Sequence, residues 1–363
     1  MKNPNRCAVA LLLSTVLASA ALAQTTKETS QNRRDEFAWL TDFNKASAVM
    51  VVEQGIVSRD LGTTIARSVR KVSEDANQPG APRPGITGYL TVEASLAAVG
   101  GPDVSRLHSG RSRQDLLATY NRGVLRDRLL DMLAAQGEVR SRLQRLAGEH
   151  VDTVIPAYTN GVQAQPITLG HYLLAFDAAL ARDGERLRQA FPRVNRNPLG
   201  SAALGTSSFP VDRNRLAQLL GFDAPEVNSY DANLVSAMDV PLEVVHIAQG
   251  SALTTGALIE DVVTQYRSTE PWLLLREGNL TGPSSIMPQK RNPYGLNEVR
   301  QAASKVVADA IGFAVLAHNV APGMLDYKGG TAETTLDDAR DMLGKLSKVL
   351  DALVVNVPAA LAQ

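Results

Sequence analysis

Two short stretches of this chain gather reactive side chains where a helix cannot run. In "TGPSSIMPQKRNPYG", residues 281–295, the hydroxyls of Ser284 and Ser285, the ammonium of Lys290 and the amide of Asn292 fall close together. Gly278, Gly282, Pro283, Pro288, Pro293 and Gly295 surround them and prevent regular helix, so these groups ride on a loop, 278–295. A cation and an amide beside a hydroxyl can steady negative charge that develops during a reaction. The plainer alternative is a helix N-cap, with a serine hydroxyl satisfying free N–H groups of a helix that starts near Asn297.

The second stretch is "HSGRSRQDLLAT", residues 108–119. Arg106, Arg111 and Arg113 flank a Gly-Ser turn that leads into a long helix, and a helix N-terminus and a guanidinium can hold a carboxylate together. Arg113 takes that role here; Arg106 and Arg111 read as structural pairing. His108 reads as a structural hydrogen-bonding ring and His171 as packing or capping. His150, His246 and His318 lack metal-ligand spacing, so no metal is assigned.

Helices must position both stretches. From Gln114, the residues Leu117, Tyr120, Val124, Leu125, Leu129, Met132 and Leu133 keep a 3.6-residue period, with Arg122, Arg126 and Arg128 on other faces. A second long helix is expected from about Pro241 to Tyr266, where Val245, Ala248, Ala252, Ile259, Val262 and Tyr266 keep nearly heptad spacing. Gly250, Ser251, Gly256 and Ala257 permit close neighbours there. Strand-like alternation is scarce and no internal repeat is present, so the fold class is all-α, a long-helix bundle. Breaks are expected at 77–85, at 195–210 and at the 278–295 loop.

The chain has 363 residues, 44% of them hydrophobic and 20% charged, enough for a sizeable core. Lysine plus arginine equals aspartate plus glutamate at 37, and no basic cluster is interleaved with aromatics, which argues against nucleic acid and for small-molecule or protein partners. The leader "MKNPNRCAVALLLSTVLASAALAQ" has Lys2 and Arg6, an apolar run and then Ala21-Leu22-Ala23. It reads as a Sec-type signal peptide, 1–23, and implies an exported, periplasmic or secreted protein with no membrane span in its mature form. Cys7, the one cysteine, lies inside it, which removes disulfides and thiolate chemistry from the mature chain.

The order Ser284-Ser285-Ile286-Met287-Pro288-Gln289-Lys290-Arg291-Asn292 resembles the signature of the fumarase, aspartase and argininosuccinate lyase superfamily. "HSGRSRQDLLAT", "IPAYTNGVQAQPITLGHYLLA" (155–175), "NPLGSAALGTSSFPVDR" and, more faintly, "NKASAVMVVEQGI" (44–56) narrow the resemblance to the argininosuccinate lyase branch. The resemblance implies that Ser284 removes a proton beside a carboxylate while Lys290 and Asn292 stabilise the aci-carboxylate. It further implies that Ser112, Arg113 and Gln114 hold one substrate carboxylate, that Thr159 holds the other end of the succinyl unit, and that position 160 assists proton transfer.

This sequence departs from the family pattern at several of these places. Position 160 is Asn160 where the family has histidine, and an amide exchanges no proton near neutral pH. Gln114 replaces asparagine, Asn44 replaces the opening-helix serine that contacts substrate, and Pro283 replaces glycine. In "MLDYKGGTA" only a displaced Tyr327 and Lys328 remain to read the leaving half.

The groups for the fumarate-forming half persist while those for the leaving group have changed. The resemblance therefore implies elimination of an amine from an N-substituted succinate without a cofactor, with the amine different from the family's. The alternatives are another succinyl lyase or cycloisomerase, or an inactive homologue kept for binding or structure. It also implies a homotetramer around a twenty-helix bundle with sites shared by three subunits. The expected organisation is an N-terminal helical domain over 24–107 and a central bundle domain over 108–363, without the family's small C-terminal helical domain.

Overall fold

The computed structural model describes residues 33–327 and 332–363. The expected signal peptide and Lys328 lie outside the described residues.

Three helices open the fold: α1 (Glu36–Glu53), α2 (Arg59–Ala76) and α3 (Tyr89–Gly100). The side chains of Asp35 and Ser58 cap the first two by accepting from the N–H groups of Ala38 and Leu61. Their apolar faces close around Trp39, Phe43, Ile65, Leu96 and Leu107. Leu116, in the first turn of α4 (Arg113–Glu149), belongs to the same cluster. Gly123 of α4 lets Trp39 approach; a Cβ there would stand 2.3 Å from the indole. The N-terminal helices are thereby anchored on the bundle.

The bundle consists of α4, α5 (Leu169–Val194), α7 (Ser236–Gln265), α8 (Tyr294–Ala317) and α9 (Ala332–Ala352), with the short α6 (Arg213–Leu220) outside it. Leu129, Met132, Val139, Leu180, Leu187, Val244, Ile259, Val299 and Leu343 fill its centre. Burial of these apolar stripes, at about 25 cal/mol per Å², is what holds the long helices together. α7 starts at Ser236 directly after a π-helical turn, Asp231–Val235, so Pro241 lies inside the helix and not at its start.

Ion pairs give the helix directions. Arg128 meets Asp337 at 3.1 Å and Arg142 meets Asp351 at 2.9 Å, so α4 and α9 run parallel. Arg140 meets Asp177 at 2.8 Å while Arg122 donates to the carbonyl of Arg193, so α5 returns antiparallel to α4.

The described strands form small ribbons. The largest is a hairpin of β1 (Val154–Thr159) and β2 (Val162–Thr168), a small exception in a fold that is otherwise helical as expected. Its turn is Asn160-Gly161 with φ of 53° and 75°, the geometry of a type I′ turn. β3 (Arg196–Asn197) pairs with β4 (Ala224–Pro225), and β5 (Leu273–Leu275) pairs with β8 (Leu353–Val355). β6 (Gly282–Pro283) pairs with β7 (Arg291–Asn292). A last short helix, α10 (Val357–Ala362), packs on β1. Among the described residues no helix is long and apolar enough to cross a membrane.

The bundle therefore has two ends. The N-termini of α4 and α7 meet at one, where the Gln114 amide reaches the carbonyl of Asn233 at 3.4 Å. The hairpin, the C-terminus of α7 and the ribbon preceding α8 occupy the other, where the Tyr172 hydroxyl on Asp261 at 3.0 Å ties α5 to α7.

Candidate functional site

The Ser284 loop is the tip of the β6–β7 ribbon. Pro283 faces Arg291 and Gly282 faces Asn292 across it. Gly282 is required because the Tyr294 ring lies against it; a Cβ would stand 2.1 Å from that ring. The Asn292 amide donates to the Pro283 carbonyl at 3.3 Å, and Arg291 donates to the carbonyls of Pro288 at 2.8 Å and Lys290 at 3.1 Å. Arg291 also pairs with Glu277 at 3.3 Å. Neighbours in the ribbon thus hold its frame while the tip stays out in solvent, with Ile286 83% exposed.

Among the described residues the Ser284 hydroxyl and the Lys290 ammonium have no hydrogen-bond or ion-pair partner. The capping alternative for Ser284 does not hold: α8 begins at Tyr294, three residues before the expected start, and its N-cap is Pro293 with no side-chain cap bond. Proline fixes φ in the helical range and starts the helix without help from a serine.

At the opposite end, Ser112 is the N-cap of α4. Its Oγ accepts from the Gln114 N–H at 3.1 Å, and its own N–H donates to Asp115 Oδ1 at 2.9 Å, which closes a capping box. The Ser112 hydroxyl proton remains available to an acceptor. Arg113 is exposed and makes no ion pair or hydrogen bond to a described residue. Gln114, expected to grip substrate, is turned toward Asn233 by its amide.

Asn44 needs a correction. It is 2% exposed, and its Oδ1 accepts from Arg111 Nη2 at 2.9 Å, so it anchors the arginine turn and offers little to a ligand. The longer amide reaches the guanidinium where a serine would fall short.

Arg111 is the centre of a buried cluster. Besides Asn44 it donates to Ser47 Oγ at 2.9 Å and to His108 Nδ1 at 3.0 Å. Burial lowers its pKa to about 10, which leaves it charged at neutral pH. His108 accepts from a group that can only donate, so its Nδ1 carries no proton. Burial and then the Arg111 charge push its pKa down to about 3, which excludes it as an acid near neutrality.

Asp115 takes N–H bonds from Ser112, from Gly200 at 2.9 Å and from Ala202 at 3.1 Å. Burial outweighs those donors and the nearby Arg111, raising its pKa to about 6. Ala202 adopts φ 55° to aim its N–H at this carboxylate.

Thr159 and Asn160 stand exposed at the tip of the hairpin, and Asn160 supplies the positive φ that its turn requires. The signal for the turn was in the sequence: Asn-Gly between "VIPAYT" and "VQAQPIT" is a short-range hairpin marker. Tyr327 ends a 3₁₀ segment, Pro322–Tyr327, that packs near the π-helical turn at the Ser112 end.

One chain does not unite these residues. α4 has 37 residues and is about 55 Å long. The residues from 150 to 159 recover at most about 33 Å even if they run straight back along it. Ser112 and Thr159 of one chain therefore stay about 20 Å or more apart. Ser284, Lys290, Asn292, Thr159 and Asn160 share one end; Ser112, Arg113, Gln114, Asn44 and the Tyr327 backbone share the other.

Comparison with known proteins agrees with this architecture. Residues 93–308, more than half of the chain, match a family described as lyase. The argininosuccinate lyase of Natronomonas pharaonis is 37% identical over 265 residues, which cover 73% of this chain and 53% of that protein. The chain thus spans about half the length of this curated relative. A crystal structure of EDDS lyase in complex with formate superposes with a TM-score of 0.81 at 29% identity, over 93% of this chain and 68% of that one. A class II fumarase from Schistosoma mansoni shares the fold at TM-score 0.72 and 15% identity, over 90% of this chain and 78% of that one. The chain therefore belongs to this lyase family, on the argininosuccinate lyase branch of the fumarase/aspartase superfamily.

Proposed function

We propose that this chain eliminates an amine from an N-substituted succinate and releases fumarate, as a homotetramer in which each site draws on three subunits. The carrying observation is the Ser284 tip, where a hydroxyl and an ammonium without partners among the described residues share the exposed tip of a ribbon in a lyase-family chain. The distance that α4 imposes between Ser112 and Thr159 supports the sharing.

In this reading Ser284, ionised and steadied by N–H donors and a cation, takes a proton from the carbon beside a carboxylate. The C–H electron pair moves into that carboxylate, and Lys290 with the remaining Asn292 N–H stabilises the second negative charge. The pair returns to form the carbon–carbon double bond as the C–N bond breaks, and the C–N electrons leave with nitrogen. Ser112 and Arg113 hold one carboxylate and Thr159 holds the other end of the succinyl unit.

Asn160 orients a group but transfers no proton. That suits a departing nitrogen that is already an alkylammonium, since it leaves as a neutral amine on its own proton. The N-terminal domain over 24–107, the bundle domain over 108–363 and export by the 1–23 leader belong to the same proposal.

The test is to offer the purified chain fumarate with a panel of alkylamines, and argininosuccinate separately, while following fumarate's ultraviolet absorbance. Fumarate consumption with an alkylamine is expected. No change with any partner would sink the reading in favour of a non-catalytic homologue. Light scattering showing a stable monomer would sink the shared site.

A further inference from the structure

Behind the β1–β2 hairpin lies a cavity of about 590 Å³. Tyr158, Tyr172 and Trp272 contribute aromatic walls, and Asp261, Gln265 and Ser268 contribute polar ones. Asp261 is the only Asp, Glu, Lys, Arg or His among the lining residues, and it pairs with no cation among the described residues. The Tyr172 hydroxyl holds Asp261 Oδ2 at 3.0 Å and leaves Oδ1 open. Burial, reinforced by the Asp261 charge, raises the Tyr172 pKa well above its usual value, so the phenol stays a neutral donor.

The helix end adds the same sign of potential. Asp261 and Gln265 lie in the last turns of the 30-residue α7, whose C-terminus carries partial negative charge and has no basic residue in its last turn. Aromatic faces are also negative. A carboxylate, a helix C-terminus and ring faces all attract a cation, and nothing in the lining repels one. The volume far exceeds what a bare metal ion needs, and the aromatic walls suit an alkyl chain.

We propose that this cavity binds a primary alkylammonium ion, with its ammonium on Asp261 and its chain against Tyr158, Tyr172 and Trp272. The Gln265 side-chain carbonyl offers an acceptor for a remaining N–H group, whereas the Ser268 Oγ already accepts from the Glu270 N–H and the Gln363 amide. Asn160, at the hairpin tip, also lines the cavity, but the inference goes beyond the elimination reading because it assigns no role to Asn160, Ser284 or Lys290 and is measured without turnover.

Calorimetric titration of the purified full chain at low ionic strength tests it, using n-butylammonium chloride, with n-butanol and tetramethylammonium chloride as comparisons. One saturable site per chain is expected, with butylammonium binding about tenfold or more tighter than butanol. Asp261→Asn should weaken butylammonium about tenfold, whereas Ser284→Ala should leave binding unchanged even if it abolishes turnover.

Three results would overturn the proposal: no saturation of the wild type, butanol binding as well as butylammonium, or unchanged affinity in Asp261→Asn. Tighter binding of tetramethylammonium would overturn the assignment to a primary ammonium. If Asp261→Asn fails to fold, the butylammonium-to-butanol ratio on the wild type decides alone.

Discussion

The two ends of the bundle carry matching shares of the candidate site and are built in opposite ways. At the Ser112 end, Arg111 is bonded to Asn44, Ser47 and His108, and the buried Asp115 accepts from the Ser112 N–H, while Arg113 stays exposed. At the hairpin end, the side chains of Ser284, Lys290 and Thr159 make no hydrogen bond or ion pair among the described residues and stand on ribbon tips. One half is fixed by contacts within its own chain, while the side chains of the other make no such contacts among the described residues. A site divided in this way ties folding stability to the first half and reactivity to the second, and each substitution below separates the two.

The largest effect is expected at the open end. Ser284→Ala should lower elimination by about a hundred- to ten-thousand-fold, the usual contribution of a positioned base. Thermal stability should move by less than about 0.5 kcal/mol, because the hydroxyl has no partner to lose among the described residues. Initial rates of fumarate formation and a melting curve on the same preparation check both halves. A stability loss with turnover intact would make the tip structural and erase the contrast.

At the closed end the order reverses. Arg111→Met removes three hydrogen bonds and takes from the buried Asp115 a positive charge that steadies its carboxylate, which should cost about 3–5 kcal/mol in a urea titration. Arg113→Met, two residues on, should cost under about 0.5 kcal/mol and appear instead as a raised KM. Equal stability losses at the two positions would mean that exposure does not divide structural from ligand-facing arginines here.

Legibility in the sequence follows the same division. The long helices were readable because burial of a stripe imposes a 3.6-residue period on Leu117 through Leu133. The hairpin was missed because its strands are short and mostly exposed, and only the Asn160-Gly161 pair marks it. The arginines at 111 and 113 were sorted from local pattern, but the partners of Arg111 were not, since Asn44 and Ser47 lie 67 and 64 residues away. Asn44 was therefore read as a ligand contact when it is a structural acceptor. The separation of Ser112 from Thr159 was implicit in the length of one helix.

A smaller effect concerns acidity at the closed end. The His108 pKa falls from 6.5 in the unfolded chain to about 3 in the folded one. Between those values the unfolded chain binds the proton and the folded chain does not, so stability is lost as pH falls below 6.5. The loss from this group should reach about 2 kcal/mol at pH 5. Asp115 acts in the other direction: its pKa rises from 3.8 to about 6, so the folded chain holds the extra proton and gains stability as pH falls through 6. Comparing wild type with His108→Gln in urea from pH 7 to pH 5 isolates the histidine. The variant should gain relative to wild type on acidification, and a constant difference would mean that His108 is protonated in the fold.

The smallest effect on stability falls on the hairpin tip and bears on how the open end works. Asn160 sits at φ 53°, where asparagine is at ease and most other residues are not. Two reasons for this residue therefore compete: the turn needs it, or the substrate does. Asn160→His places a somewhat less suited residue in the same backbone region and should cost no more than about 1 kcal/mol. Asn160→Gly satisfies the turn without any side chain and should cost less still. If the turn alone selects Asn160, both variants keep the rate with the preferred alkylamine, and histidine adds a group that titrates near neutrality beside Thr159, with a measurable gain on argininosuccinate. If the amide positions a substrate carbonyl or carboxylate, glycine and histidine both lower the rate with the alkylamine, and neither gains on argininosuccinate. Rates for the three proteins on both substrates, set beside their melting curves, separate these cases. Unchanged rates on both substrates in both variants would place position 160 outside the working site and leave Thr159 as the hairpin's only contribution.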